Sequence, residues 1–496
     1  MNLADLKHFV DRKWDEELIP RLVEYVKVPA KSPAFDASWS AHGYLQAVVK
    51  EAYAWGAAQK IKGLKIEIVS IEGKTPCILF DVPATGTYGN AKTVLLYGHL
   101  DKQPEMVGWR EGLGPWTPVV EDGKLYGRGS ADDGYAIYCA LTVITAIDAQ
   151  GAPRPRCVGI IESCEESGSP DLPAYLELLA PRFGDVALVA GLDSGCGNYE
   201  QLWMTTSLRG LVGGTLTVEI LSEGVHSGHS SGIVPSSFRI ARQLLNRIDD
   251  PATGRVRDPV FSVAIPQERL DEAKVAGDVL GDKVWTEFPW VACARGPGID
   301  HEVLPQDLRQ HVHGGLPTSR PMTTDPVEAI LNRTWRPALA ITGAGGLPAI
   351  DSAGNVLRPK TTLKLSLRIP PIVDGQRATQ QMKKLLEADP PYNARVTFDP
   401  DWGATGWNAP ATAPWLRQAA DEASRAVFGK ESAWTGSGGT IPFMNMLGEK
   451  FPRAQYLITG VLGPHSNAHG PNEFLHIPYV KQISSAVARV ITSLPG

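Results

Sequence analysis

The stretch Tyr97-Gly98-His99-Leu100-Asp101 decides how the rest of the chain is read. It closes an apolar run, Thr93-Val94-Leu95-Leu96, that has the character of a buried strand. A His stands where that strand should emerge, and a carboxylate follows two residues on. In extended backbone, side chains at i and i+2 share a face, so His99 and Asp101 can point the same way. Asp101 can then accept a hydrogen bond from the ring nitrogen of His99 that faces away from a metal. Metal-ligating His side chains usually have such a partner.

Strand-like runs recur around this stretch: Lys65–Val69, Cys77–Val82, Val158–Ile161 and Val186–Ala190. Helical apolar spacing covers residues 3–28, 40–58, 133–149 and 172–179. Alternating strands and helices predict an α/β layer with a largely parallel sheet. In such sheets ligands bind outside the carboxyl ends of the strands. After about residue 208 the texture changes. Residues 211–221 and 363–369 alternate apolar and polar side chains. A helix capped by Ser236, a helix after Asp374 and a strand at 394–398 complete an α+β pattern. Helix–strand alternation returns from Pro410. The expected organisation is a discontinuous first domain, 1–208 and 409–496, interrupted by a second at 209–408. Residues 265–350 are Pro-rich and weakly periodic, and read only as a long elaboration of the insert.

Composition narrows the function classes. The chain has 496 residues, more than one core supports. Its net charge is −6, with no Lys/Arg block, which argues against a nucleic-acid or anionic-membrane partner. No apolar run reaches the ~18 residues of a membrane span. The N-terminus lacks the order of a signal peptide. The six Cys (77, 139, 157, 164, 196, 293) show no CxxC pair, so neither a disulfide framework nor a Cys-type zinc site is expected. A reducing, cytoplasmic setting fits.

Four further elements bear acids or His. Gly127-Arg128-Gly129-Ser130-Ala131-Asp132-Asp133-Gly134 precedes a helix. Glu162-Ser163-Cys164-Glu165-Glu166-Ser167-Gly168 follows a strand, as does Leu192-Asp193-Ser194-Gly195. The last is Gly463-Pro464-His465-Ser466-Asn467-Ala468-His469-Gly470-Pro471-Asn472-Glu473. Acids gathered at one sheet edge with no nearby Lys or Arg repel one another unless a cation sits among them. His nitrogen and carboxylate oxygen suit borderline metals such as zinc, and two ions can share a bridging carboxylate.

The order His99-x-Asp101, Gly-Arg-Gly-x-x-Asp132-Asp133, Glu165-Glu166, Asp193, His226 and His469 resembles the co-catalytic zinc peptidases. That family includes carnosinases, cytosolic non-specific dipeptidases, aminoacylases and glutamate carboxypeptidases. The match spans nearly the whole chain. It implies a di-zinc catalytic domain with a mixed, largely parallel sheet, interrupted by a lid and dimerisation domain. It implies two Zn2+ per chain, with Mn2+ or Co2+ as substitutes. Asp132 would bridge them, His99 and Asp193 would complete one site, and Glu166 and His469 the other. Glu165 would be the general base and Asp101 the residue that orients. His226, from Gly224-Val225-His226-Ser227-Gly228-His229, would cross a homodimer interface and stabilise the oxyanion. Arg368, in Leu367-Arg368-Ile369-Pro370, would hold a substrate carboxylate. Asn355 would join it in substrate binding, and Gly439 and Thr440 would contact the substrate backbone. The resemblance also implies a cis peptide after Asp132. Two positions depart from the family: Gly134-Tyr135 stands where Lys-Gly is usual, and Ser163 where Gly is usual. The implied reaction is metal-dependent hydrolysis of the amide bond of a dipeptide or similar short substrate with a free C-terminal carboxylate. The alternative is deacylation of N-acyl amino acids by the same site.

Overall fold

The computed structural model describes all residues except 90, 292–311, 314, 315 and 318. The chain forms two compact units. The first comprises Met1–Val212, Ile369–Ala378 and Trp402–Gly496; the second comprises Gly213–Arg368 and Thr379–Asp401.

The first unit is built on a six-stranded sheet. Its order is Lys65–Val69, Cys77–Val82, Arg156–Glu162, Lys92–His99, Asp185–Gly191, Gln455–Ile458. The last four run parallel and the first two add antiparallel pairings, so the sheet is mixed and largely parallel. The central strand is buried almost throughout, as its unbroken apolar sequence requires when both faces are covered. Register aligns His99 with Glu162 and Tyr97 with Gly191, so the parallel strands end together at one edge.

The helix Ala136–Ala149 packs on that sheet, with buried residues on all its faces. Gly98 makes the close approach possible. A Cβ there would lie 2.5 Å from the Ala136 Cβ and 3.0 Å from an Asp133 carboxylate oxygen. The N-terminal helical run 3–28 divides into Leu3–Lys13, a π-helical turn at Trp14–Leu18, and Ile19–Lys27. Pro20 has no N–H to give the preceding turn, and the widened turn accommodates that loss. The run at 40–58 likewise splits at Gly43, which is left-handed.

The second unit has a four-stranded sheet in the order Ala338–Gly345, Lys360–Ile369, Gly210–Glu219, Arg395–Ala404. Along Lys360–Ile369 buried and less buried residues alternate strictly, as one solvated face demands. The amphipathic helices Ser237–Leu245 and Gly375–Glu387 belong to this α+β region, and the Ser236 side chain accepts from Arg239 N at the first helix's start. Within the weakly periodic 265–350 stretch the described residues include helices Gln267–Leu280 and Pro326–Thr334, which contact each other. Part of that stretch, and Cys293, lie outside the described residues.

Candidate metal centre

Five chain segments converge outside the carboxyl edge of the large sheet. His99 ends its strand, and its side chain is fully buried. The His99 Nε2 atom lies 3.3 Å from Asp132 Oδ1, 3.8 Å from Asp193 Oδ2 and 4.0 Å from Glu165 Oε2. On the other side of Asp132, Oδ2 lies 2.9 Å from His469 Nε2, which is itself 3.3 Å from Glu166 Oε2. One carboxylate therefore faces two groups of donors, one through each oxygen. His99, Asp132 and Glu166, and again His99, Glu165 and Asp193, place ligand atoms within 4.8 Å of one another.

Asp101 does more than orient a ring. His99 Nδ1 lies 3.2 Å from the Asp101 backbone carbonyl and 3.4 Å from its carboxylate. The two carboxylate oxygens accept the backbone N–H groups of Glu165 at 3.0 Å and Glu166 at 2.9 Å. Asp101 thus fixes the short 3-10 turn Glu165–Ser167 against the His99 strand end. Gln103 Nε2 donates to Glu166 Oε2 at 2.6 Å. It continues the i, i+2 alternation begun by His99 and Asp101, and sequence reading passed over it. The Asp132–Asp133 peptide is cis.

The electrostatics of this edge are unbalanced. Burial pushes the carboxyls of Glu165 and Glu166 well above the usual carboxylate range, and neighbouring carboxylates push further. Burial and Asp132 push Asp193 up to about 7. Burial also acts to raise Asp132, but the two imidazoles that face its oxygens, His469 and His99, prevail and hold it low. Among the described residues none of these acids pairs with a Lys or Arg. His99 Nε2 is buried without a hydrogen-bond partner, although carboxylate oxygens surround it. A ring nitrogen and carboxylates that repel one another around a common point make an N/O donor set for a divalent cation. The residues present fit such an ion.

Both departures from the family pattern have a local cause. A Cβ at Gly134 would stand 2.1 Å from the Tyr25 ring, so no side chain fits. Tyr135 is buried and its hydroxyl donates to the Leu192 carbonyl, beside Asp193. The buried Ser163 hydroxyl donates to the Pro76 carbonyl.

The loop with Gly439 and Thr440 also belongs to the first unit. Thr440 Oγ1 donates to the Arg209 carbonyl at 2.7 Å, and Arg209 Nε donates to the Gly438 carbonyl at 3.2 Å. Arg209, in Leu208-Arg209-Gly210 straight after a buried strand, escaped the sequence reading. His226, Asn355 and Arg368 belong to the second unit. His226 pairs with Val356 in a short antiparallel ladder, and Ser227 N donates to the Asn355 carbonyl, so these two predicted residues are neighbours. The His226 ring accepts from Gly228 N at 3.1 Å. Arg368 lies opposite Ala338 in the four-stranded sheet, where burial lowers its pKa.

A largely parallel α/β sheet with a His- and carboxylate-lined edge has the donors of a divalent-metal protein. Peptidase family M20/M25/M40 matches residues 95–493, and the chain belongs to that family. The Cys-Gly metallodipeptidase DUG1 of Saccharomyces cerevisiae is 25% identical over 485 residues, covering 93% of this chain and 92% of that protein. The Beta-Ala-His dipeptidase of Homo sapiens is 26% identical over 424 residues, covering 82% and 76%. Among solved structures, human carnosine dipeptidase 1 aligns over 99% of this chain and 98% of its own, with a TM-score of 0.73 and 21% identity. At that identity the likeness speaks to the fold alone.

Proposed function

We propose that the protein is a metal-dependent dipeptidase that hydrolyses the amide bond of dipeptides and similar short substrates with a free C-terminal carboxylate. The observation that carries this reading is Asp132, whose two oxygens face His99 at 3.3 Å and His469 at 2.9 Å. The named dipeptidases among its relatives favour the same substrate class over N-acyl amino acids.

In this reading two zinc ions bind, with Mn2+ or Co2+ as substitutes. His99, Asp132 and Asp193 hold one; Asp132, Glu166 and His469 hold the other. When bound, the metal polarises the scissile carbonyl and acidifies the attacking water. Glu165 takes the proton of that water and delivers it to the leaving amine nitrogen. Asp101 keeps Glu165 in place through the turn's backbone N–H. Gly439 and Thr440 bind the substrate backbone. Arg368 holds the terminal carboxylate through its planar fork, with Asn355 beside it in the sequence order of the site. The second unit acts as lid and dimerisation domain. His226 serves the oxyanion of a partner copy in a homodimer. The five described cysteines are buried and free, in keeping with a cytoplasmic protein. No described helix is long and apolar enough to cross a membrane.

The test is a reconstitution screen. Metal-stripped protein is reloaded with zinc, manganese or cobalt and assayed against Cys-Gly, β-Ala-His, other dipeptides and N-acetyl amino acids. Dipeptide hydrolysis restored by metal is expected. Turnover confined to N-acyl amino acids would replace the dipeptidase reading with a deacylase.

A further inference from the structure

We propose that Arg128 and Glu473 form a buried clamp that sets the separation of Asp132 and His469 before any metal arrives. The inference rests on the metal-centre reading above and adds two positioning residues to it.

Arg128 is 1% exposed and Glu473 is fully buried. Their side chains meet at 2.6 Å, Nη1 to Oε2. The remaining guanidinium donors go to carbonyls on two other segments. Nε donates to Pro104 at 3.1 Å, and Nη2 donates to His469 at 3.0 Å and Gly470 at 2.9 Å. Glu473 Oε1 reaches back to accept Gly129 N at 3.0 Å and Ala131 N at 3.3 Å. Gly127 N also donates to the Glu473 carbonyl at 3.0 Å. Every link joins the loop that ends at Asp132 to the loop that carries His469, or to the segment just after Asp101.

The second loop needs holding. His465, Asn467, His469 and Asn472 all have left-handed φ values, between +53° and +65°. Asn enters that region at small cost, but four such residues within eight positions make a loop whose conformation its surroundings must hold. Arg128 grips the carbonyl of His469 itself. Its planar fork meets several acceptors in fixed directions, which an ammonium cannot do. The two side chains bond each other directly and close on backbone groups, so the clamp needs no metal to hold it.

Partners behind metal ligands typically change metal affinity about 10–100-fold when removed. Arg128→Lys and Glu473→Asp keep the charge balance and lose the geometry. Metal-stripped protein is titrated with zinc against a competing chelator, and both binding steps are read. The step that needs His469 should weaken about 10–100-fold in both variants, with circular dichroism unchanged. Arg154→Lys serves as the control, since Arg154 is equally buried and bonded to Asp148 at 2.8 Å, outside the centre. It should lower thermal stability and leave zinc affinity alone. Wild-type zinc constants in the two clamp variants, or an equal loss in Arg154→Lys, would overturn the clamp. If the variants do not fold, hydrogen exchange of wild-type protein decides. The Gly129 and Ala131 amides should be protected already without zinc, and protection that appears only with zinc refutes presetting. Wild-type protein that binds no zinc refutes the metal centre itself, a separate outcome.

Discussion

Two regions of this molecule bury ionisable side chains, and they do so in opposite ways. At the carboxyl edge of the large sheet, Asp101, Asp132, Glu165, Glu166 and Asp193 crowd around two His, with no Lys or Arg paired to them among the described residues. In the helix Gln267–Leu280 of the second unit, Arg269 and Glu272 are also buried, 3% and 5% exposed, but they meet at 2.8 Å. Each finds an opposite charge within its own helix. The sheet edge is left with acids that must either keep their protons or share a cation from outside. A buried charge with a local partner speaks of structure; a buried surplus speaks of a ligand.

The sharpest way to break this contrast is to remove the shared ligand. Asp132→Ala should lose both metals by elemental analysis, and activity should fall below detection. Two tightly held metals in that variant would refute the bridging role and weaken the argument from surplus charge.

Next in size is the base. Glu165→Gln keeps its volume and cannot take a proton. Both metals should remain, and turnover should fall on the order of 10²–10⁴-fold. Near-normal turnover would move the base role, with Glu162 the nearest acid in sequence that is not assigned to a metal. That residue is otherwise engaged, since its carboxylate accepts the hydroxyls of Tyr97 at 2.5 Å and Ser169 at 2.8 Å.

The contribution proposed for the second unit is measured at His226. His226→Ala should cost ~10²–10³ in turnover with zinc content unchanged. If the proposed homodimer forms, refolding it together with Glu165→Gln gives mixed dimers in which one site has both intact residues. Roughly half the dimers are mixed and each has one good site, so roughly a quarter of normal activity should return. Confirmed subunit exchange with no recovered activity would confine His226 to its own chain or remove it from the reaction.

The contrast also explains what could be read from the sequence. His99 and Asp101 were legible because two local rules coincide there, an apolar run that ends and an i, i+2 spacing. The core strands and the helix Ala136–Ala149 were legible because their apolar content is unbroken. Arg128 and Glu473 sit inside quoted motifs, yet their pairing spans 345 positions and nothing local announces it. The usefulness of Gly134 was equally hidden, because the Tyr25 ring that excludes a side chain comes from a distant helix. The helix Gln267–Leu280 escaped for another reason. Its buried face is made of Arg269, Glu272, Ala273, Ala276, Gly277 and Leu280, so charge and small residues stand where a large apolar stripe would have signalled it.

That helix supplies the smallest expected effect on turnover. Glu272→Gln removes the close partner of a buried guanidinium, a change that typically destabilises by about 3–5 kcal/mol. The low end applies here, since Glu268 lies 3.8 Å from the same Arg269 and retains part of the attraction. The double variant Arg269→Met/Glu272→Leu removes both charges together and fills similar volume. Its stability should return to within about 1 kcal/mol of wild type or exceed it, because the desolvation cost of the pair disappears with the pair. Denaturant titration of wild type, Glu272→Gln and the double variant measures this directly. Zinc content and dipeptide turnover of the folded fraction should stay within about twofold throughout, since neither residue is among the acids and His of the metal centre. A double variant as unstable as the single, or one that lost zinc, would show that this pair does more than balance itself, and the distinction between the two kinds of buried charge would fail in this protein.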